Sequence, residues 1–223
     1  MLYVVSTPIG NLEDITLRAL RILKEVDIIA AEDTRHTRKL VSNYNIDTRL
    51  TSYHDYNKEE KGLVLTHRMK EGEDVALVTD AGTPGISDPG YFIINMAIRE
   101  GIKIVPIPGV SAFTAAISIS GLPTDSFTFE GFLPVKRGKR RKKLLELREE
   151  KQTLIFFESP YRLLKTMNDI LEVIGNRRVV IARELTKIFE ETIRCNVFDS
   201  IEMLQNKRLK GEITIILEGM TKK

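Results

Sequence analysis

Val75-Ala76-Leu77-Val78-Thr79 runs directly into Asp80-Ala81-Gly82-Thr83-Pro84-Gly85-Ile86-Ser87-Asp88-Pro89-Gly90, and this junction decides how the 223 residues are read. The first five residues form a continuous apolar run, the pattern of a strand covered on both faces. A plain turn from strand to helix takes about two to six residues. Here the connection holds three glycines and two prolines, so its backbone can turn sharply and approach a ligand without Cβ interference. Asp88 followed by Pro89 fits an N-cap and a first-turn proline opening the next helix. In an open parallel sheet, ligands bind outside the carboxyl ends of strands, and this loop lies at such an end.

Working outward, Leu2–Val5, Asp27–Ala31, Leu50–Ser52 and Ile102–Val105 also read as strands. The stretches Leu12–Val26, Thr34–Tyr44, Lys58–Met69, Asp88–Arg99 and Val110–Ser120 between and after them suit helices. Strand alternating with helix predicts an α/β domain on a parallel sheet over residues 1–120. Gly121-Leu122-Pro123-Thr124 breaks that rhythm. Beyond it, strands are expected at Ser126–Gly131, Thr153–Phe157, Arg178–Glu184, Glu191–Cys195 and Ile213–Leu217. Helices are expected at Lys139–Glu150, Tyr161–Ile174 and Phe198–Lys207. Adjacent strands mixed with helices make residues 121–223 an α+β domain with a mixed sheet.

Composition removes several function classes. A single cysteine, Cys195, excludes an internal disulfide and a cysteine-built zinc or iron–sulfur centre, and the expected setting is a reducing cytoplasm. No apolar run approaches the roughly 20 residues needed to cross a bilayer, so no membrane association is expected. The opening Met1-Leu2-Tyr3-Val4-Val5 has no basic n-region and reads as a strand rather than a signal or transit peptide. His36, His54 and His67 lack metal-ligand spacing. The formal charge of +3 is unevenly spread: residues 1–120 carry 13 basic and 16 acidic side chains, residues 121–223 carry 21 and 15. Lys136, Arg137, Lys139, Arg140, Arg141, Lys142 and Lys143 place seven cations in eight residues, and without them the net charge would be negative.

Two further strand ends resemble the first in composition: Ser6-Thr7-Pro8-Ile9-Gly10-Asn11-Leu12 and Pro106-Ile107-Pro108-Gly109-Val110-Ser111-Ala112. Three such loops at one sheet edge would form a pocket. None matches G-x-G-x-x-G or G-x-x-x-x-G-K-[ST], so neither a dinucleotide fold nor a P-loop nucleotidase is supported. No residue in 80–90 or 106–112 is basic, which disfavours phosphate as the main ligand there and suits a cationic one.

These loops, together with Ala31-Glu32-Asp33-Thr34-Arg35, Phe157-Glu158-Ser159-Pro160-Tyr161-Arg162-Leu163 and Arg183-Glu184-Leu185-Thr186-Lys187, resemble the ribosomal RNA small-subunit methyltransferase I family of the tetrapyrrole methylase superfamily. The six motifs occur in order from Leu2 to Leu217. The resemblance implies two α/β domains with S-adenosylmethionine in the cleft between them, and a homodimer. The implied reaction is methylation of the ribose 2′-hydroxyl of a cytidine in the decoding region of 16S ribosomal RNA. Carried over residue by residue, it assigns the cofactor to Pro8, Asp80, Gly82, Thr83, Ile86, Ser111, Ala112, Phe157 and Leu185.

Transfer to a hydroxyl needs the oxygen positioned and relieved of its proton. Three residues are candidates for that base: Asp33, Glu184 and Lys187. Each has a plainer alternative, for Asp33 a helix cap and for Glu184 and Lys187 a salt-bridged surface. The seven-cation run would crowd positive charge at a helix N-terminus, against the macrodipole, which calls for an external anion. Ribosomal RNA phosphate is the natural one, with Arg35 assigned to RNA beside the run; a solvated charged segment is the alternative. Two other functions stay open: methylation of a tetrapyrrole or another small acceptor, and noncatalytic RNA binding.

Overall fold

The protein, seen in a computed structural model, is described at residues 1–205, 207 and 209–220. It divides into two compact units, Met1–Ser111 and Ala112–Lys223. The first holds β1 (Leu2–Val5), β2 (Ile28–Ala31), β3 (Arg49–Ser52), β4 (Val75–Val78) and β5 (Ile104–Ile107). They form one parallel sheet in the order β3-β2-β4-β1-β5. Every residue of β2 and β4 is buried because the sheet is covered twice. Helices α1 (Leu17–Glu25) and α2 (Thr34–Asn43) place Ile22, Leu23 and Val41 on Ile29 and Val78 of one face. Helices α3 (Lys58–Lys70) and α4 (Gly90–Arg99) place Leu65, Met69 and Ile93 on Ile28 and Leu77 of the other. After β3 the chain returns to insert β4 between β2 and β1, so the carboxyl ends of β2, β4, β1 and β5 stand side by side.

Three local expectations need correction. The helix expected over Leu12–Val26 is a 3₁₀ turn at Leu12–Asp14 followed by α1, because Asn11 and Thr16 each cap a separate start. The fifth strand lies two residues later than Ile102–Val105, pairing Leu2 with Ile104 and Val5 with Ile107. Pro106 is tolerated inside it because β5 is an edge strand, where a missing N–H leaves no ladder bond unmade. Helix α4 begins at Gly90 with Pro89 at the cap position, and Asp88 has a different task, described below.

The second unit contains α5 (Ala112–Ser118), β6 (Phe127–Phe132), α6 (Arg137–Glu146), β7 (Thr153–Glu158) and α7 (Leu163–Val173). It continues with β8 (Arg178–Arg183), β9 (Glu191–Asn196), α8 (Val197–Gln205) and β10 (Ile213–Leu217). Its sheet is mixed, as expected: the order is β6-β7-β10-β8-β9, with β6 parallel to β7 and the other pairs antiparallel. Leu144, Leu163, Met167, Ile170, Ile201 and Leu204 from its helices pack on Phe156, Ile181 and Ile215. The boundary falls earlier than the expected Ser120/Gly121. Helix α5 belongs with the second sheet because Phe113 stacks on Phe129 of β6, ring centroids 4.8 Å apart. The Phe198–Lys207 helix is seen as α8; Asn206 lies outside the described residues. Among the described residues no helix is long and apolar enough to cross a membrane.

Candidate functional site

Parallel neighbours bring the first unit's three glycine-proline loops together. Thr7 and Gly82 exchange two backbone hydrogen bonds, N–H to O at 2.9 and 3.0 Å, joining the loops after β1 and β4. Ser6 Oγ lies 2.8 Å from Thr83 Oγ1, and Thr83 donates at 3.1 Å to the Val110 carbonyl, adding the loop after β5. The closeness depends on glycine. Gly82 has φ +87°, and a Cβ on Gly109 would come within 2.8 Å of Ser6 Cβ. Pro8, Gly82, Thr83 and Ser111 therefore meet in one cluster, with Asp80 at the end of β4; Ile86 is exposed on the same loop. Ala112 opens α5 and is grouped with the second unit. Ser6, which sequence reasoning did not single out, is the hydroxyl that bonds Thr83.

Asp88 holds the long loop closed on itself. Its carboxylate accepts from the Gly85 N–H at 2.8 Å and the Gly90 N–H at 2.7 Å. Burial pushes its pKa up, against the pull of those two N–H groups. Gly90 is required here, since a Cβ would meet the Gly85 nitrogen at 2.7 Å. Tyr53 supports the loop from below, donating to the Pro89 carbonyl at 3.3 Å. Burial pushes its phenol up to about 12.

Beside these loops the ends of β2 and β4 share carboxylates. Glu32 accepts from Thr79 Oγ1 at 2.5 Å, and Asp80 accepts from the Asp33 N–H at 3.0 Å. Burial, then repulsion from Glu32, raises the Asp80 pKa. Glu32 is thus part of the site although only its neighbour was predicted. Asp33 does what the plainer reading proposed: it caps α2, accepting from the Arg35 N–H at 2.8 Å. It also grips the Arg35 guanidinium through both oxygens, at 3.1 and 2.7 Å. That guanidinium holds the Asp33 carboxyl far below the usual range, which makes it a poor proton acceptor. The cluster offers backbone donors and acceptors, hydroxyls and negative charge, and no cation among the loop residues.

In the second unit, Phe157 is half-buried at the end of β7, its ring 4.9 Å from Phe129 and 5.6 Å from Phe132. The following Glu158 is buried, accepting from the Ser159 N–H at 2.7 Å and Thr166 Oγ1 at 2.5 Å and pairing with Arg162 at 2.6 Å. Leu185 is buried between two residues of positive φ, Glu184 (+50°) and Thr186 (+67°). Glu184 and Lys187 bond each other at 2.9 Å, and Lys187 reaches Glu212 at 3.1 Å. Burial opposes both charges, yet the Glu212 N–H and the Lys187 ammonium keep Glu184 low, and the Glu184 and Glu212 carboxylates keep Lys187 high. Both stay charged at neutral pH, the state in which Lys187 cannot accept a proton and Glu184 accepts one weakly.

The basic run divides into two kinds of residue. Arg140 is buried, its side chain 4% exposed against 2% for its partner Asp169, with bonds of 2.8 and 2.6 Å. Arg137 also reaches Asp169, at 3.0 Å, and Arg141 pairs with Glu172. Lys143 pairs with Glu130 at 2.7 Å. Arg140 is therefore a structural residue, unavailable to an outside phosphate, contrary to the sequence expectation. Lys136, Lys139 and Lys142 are exposed and form no ion pair among the described residues.

Comparison with known proteins gives this arrangement its context. A family model described as tetrapyrrole (corrin/porphyrin) methylases matches residues 1–200. The Ribosomal RNA small subunit methyltransferase I of Thermotoga maritima is 50% identical, over 98% of this chain and 98% of its own. That of Halalkalibacterium halodurans is 52% identical over 98% of this chain and 75% of its own. That of Escherichia coli O157:H7 is 48% identical over 98% and 77%. Among solved structures, a cobalt precorrin-4 methyltransferase aligns with TM-score 0.73 at 22% identity, over 97% of this chain and 94% of its own. A uroporphyrin-III C-methyltransferase of Thermus thermophilus gives 0.69 at 20%, over 96% and 93%; both likenesses concern the fold.

Proposed function

The chain belongs to the tetrapyrrole methylase family and, within it, to the ribosomal RNA small subunit methyltransferase I group of methyltransferases, and from that premise we propose that it 2′-O-methylates a cytidine ribose in the decoding region of 16S rRNA, using S-adenosylmethionine. One observation carries the reading: near-full-length identity of about half to curated proteins of that name. S-adenosylmethionine supplies a methyl group already activated on a sulfonium. The loop cluster suits such a cation, since Glu32 and Asp80 lie at its edge, Asp33 being already paired with Arg35, and no loop residue is basic.

Pro8, Asp80, Gly82, Thr83, Ile86 and Ser111 are the proposed cofactor contacts in the first unit. Ala112, Phe157 and Leu185 are carried over by the resemblance. The residues' own work is positional: the Thr7–Gly82 bridge and the Asp88 clasp hold the loops in place, and positioning supplies much of the acceleration in such a transfer. Of the three proposed bases, Asp33 and Lys187 are the least able to accept a proton, while Glu184 holds its place through Lys187 and Glu212. Lys136, Arg137, Lys139 and Lys142 are the proposed RNA contacts of the basic run, with Arg35 a further contact in the first unit. A homodimer and a cytoplasmic setting complete the proposal on the strength of the resemblance; sedimentation decides the first.

The test is mass spectrometry of nuclease-digested 16S RNA from cells with and without the gene. The expected result is loss of one 2′-O-methylcytidine, restored by the wild-type protein and not by Gly82→Arg. Unchanged ribose methylation without the gene would overturn the reading. Restoration by Gly82→Arg would favour noncatalytic RNA binding.

A further inference from the structure

Resting on RNA as the substrate, we propose that the groove between α6 and α7 seats a stretch of RNA sugar-phosphate backbone, with Lys165 and Arg137 as its phosphate contacts and Arg162 in its wall. The groove has a volume of about 690 Å³ and is open to solvent. Arg137 and Arg140 line it from α6, and Arg162 and Lys165 from the start of α7, against the carboxylates Asp169 and Glu172. On α7, Lys165, Asp169 and Glu172 are spaced four and three apart, so they share one helical face, and that face forms the wall.

Charge in the groove is out of balance in a way the fold does not need. Asp169 is buried and lies within 4.0 Å of three guanidinium groups, at 3.0 Å for Arg137, 2.6 Å for Arg140 and 3.6 Å for Arg141. Glu172 shares two of the same three, leaving one positive charge in excess. Arg162 is balanced by Glu158, which also orients it. Lys165 is exposed and forms no ion pair among the described residues. Both carboxylates facing the groove are engaged already, so an incoming anion meets bonded acids and an uncompensated excess of cations. The exposed Arg137 is held by Asp169 and Glu172 along one edge of its planar fork, which presets the rest for phosphate oxygens, while Arg162 is turned toward Glu158 and the Leu133 carbonyl and adds its charge to the wall. Exposed Lys136, Lys139 and Lys142 continue the positive surface along α6.

Neither Arg140 nor Glu158 is suited to a test, because each is half of a buried ion pair. Lys165 is. The experiment measures binding of a fluorescein-labelled single-stranded RNA oligonucleotide by anisotropy across a salt series, for wild type, Lys165→Gln, Lys165→Arg and Lys24→Gln. Lys165→Gln should bind several-fold more weakly and lower the slope of log K against log salt by about 0.7, the value of one single-strand phosphate contact. Lys165→Arg should restore most of the affinity. Lys24→Gln, on an exposed face of the first unit, should leave both quantities unchanged. Wild-type affinity and slope in Lys165→Gln, or an equal loss in Lys24→Gln, would overturn the groove while leaving RNA as the substrate. Absence of salt-dependent binding by the wild type would overturn both.

Discussion

The glycine-proline loops of the first unit and the basic run of the second are the two stretches whose sequences most invite a functional reading, and the fold treats them differently. In the loops, several of the residues that drew attention hold the loop backbone together. Gly82 is at positive φ, Gly90 and Gly109 are at points of contact too close for a side chain, and Thr83 ties two loops. In the basic run, seven similar cations split into four with carboxylate partners and three without. A glycine marks by its residue type alone a place where the chain turns sharply or approaches closely, even when the contact, as for Gly109 with Ser6, is remote in sequence. A cation's role depends on what lies across the fold: Asp169 is 29 residues from Arg140 and on another helix.

The sharpest way to break this contrast is to remove one cation of each kind. Arg140→Ala removes the buried partner of Asp169 and leaves it only the more exposed Arg137 and Arg141, which should cost about 3 kcal/mol of stability, whereas Lys139→Ala, at an exposed and unpaired surface position, should stay within about 0.5 kcal/mol. Chemical denaturation of the two variants checks this, and equal losses would mean the run is one undivided charged surface. Next in size, Gly90→Ala drives a Cβ against the Gly85 nitrogen and should cost about 1–3 kcal/mol while weakening S-adenosylmethionine binding. Calorimetric titration and melting on the same sample separate the two effects.

A pH series sharpens the contrast from the loop side. The Tyr53 phenol is raised by burial from 10.0 to about 12, so the folded state favours its neutral form. Its contribution is complete below pH 10 and is lost as pH climbs toward 12. Wild type should therefore lose more stability over that window than Tyr53→Phe, and parallel melting curves for the two would contradict the burial assigned to this ring. The smallest stability effect is expected from Lys136→Gln, Lys139→Gln and Lys142→Gln combined, which should melt like wild type because none of the three is paired.

The parallel sheet of the first unit was legible because buried β2 and β4 are continuous apolar runs, and the mixed second sheet followed from adjacent strands without helices between them. The unit boundary lies earlier than expected because α5 has an ordinary helical pattern, and the contacts of Phe113 with Phe127 and Phe129 show which sheet it serves. Asp33 was legible as a carboxylate at a strand end, but its capture by Arg35, two residues on, decides that it caps and pairs. Glu32, Ser6 and Glu158 gave no signal beyond lying next to recognised residues; their hydrogen bonds run to partners as far as 77 residues away.

The proposed division, loops for the methyl donor and unpaired lysines for RNA, is tested most directly by steady-state methyl transfer with the triple lysine-to-glutamine variant at positions 136, 139 and 142. Labelled S-adenosylmethionine is the donor and unmethylated small-subunit RNA the acceptor, each varied in turn. KM for RNA should rise while KM for S-adenosylmethionine stays unchanged. An unchanged KM for RNA, or a KM for the donor that rises with it, would contradict the division of labour between the two regions.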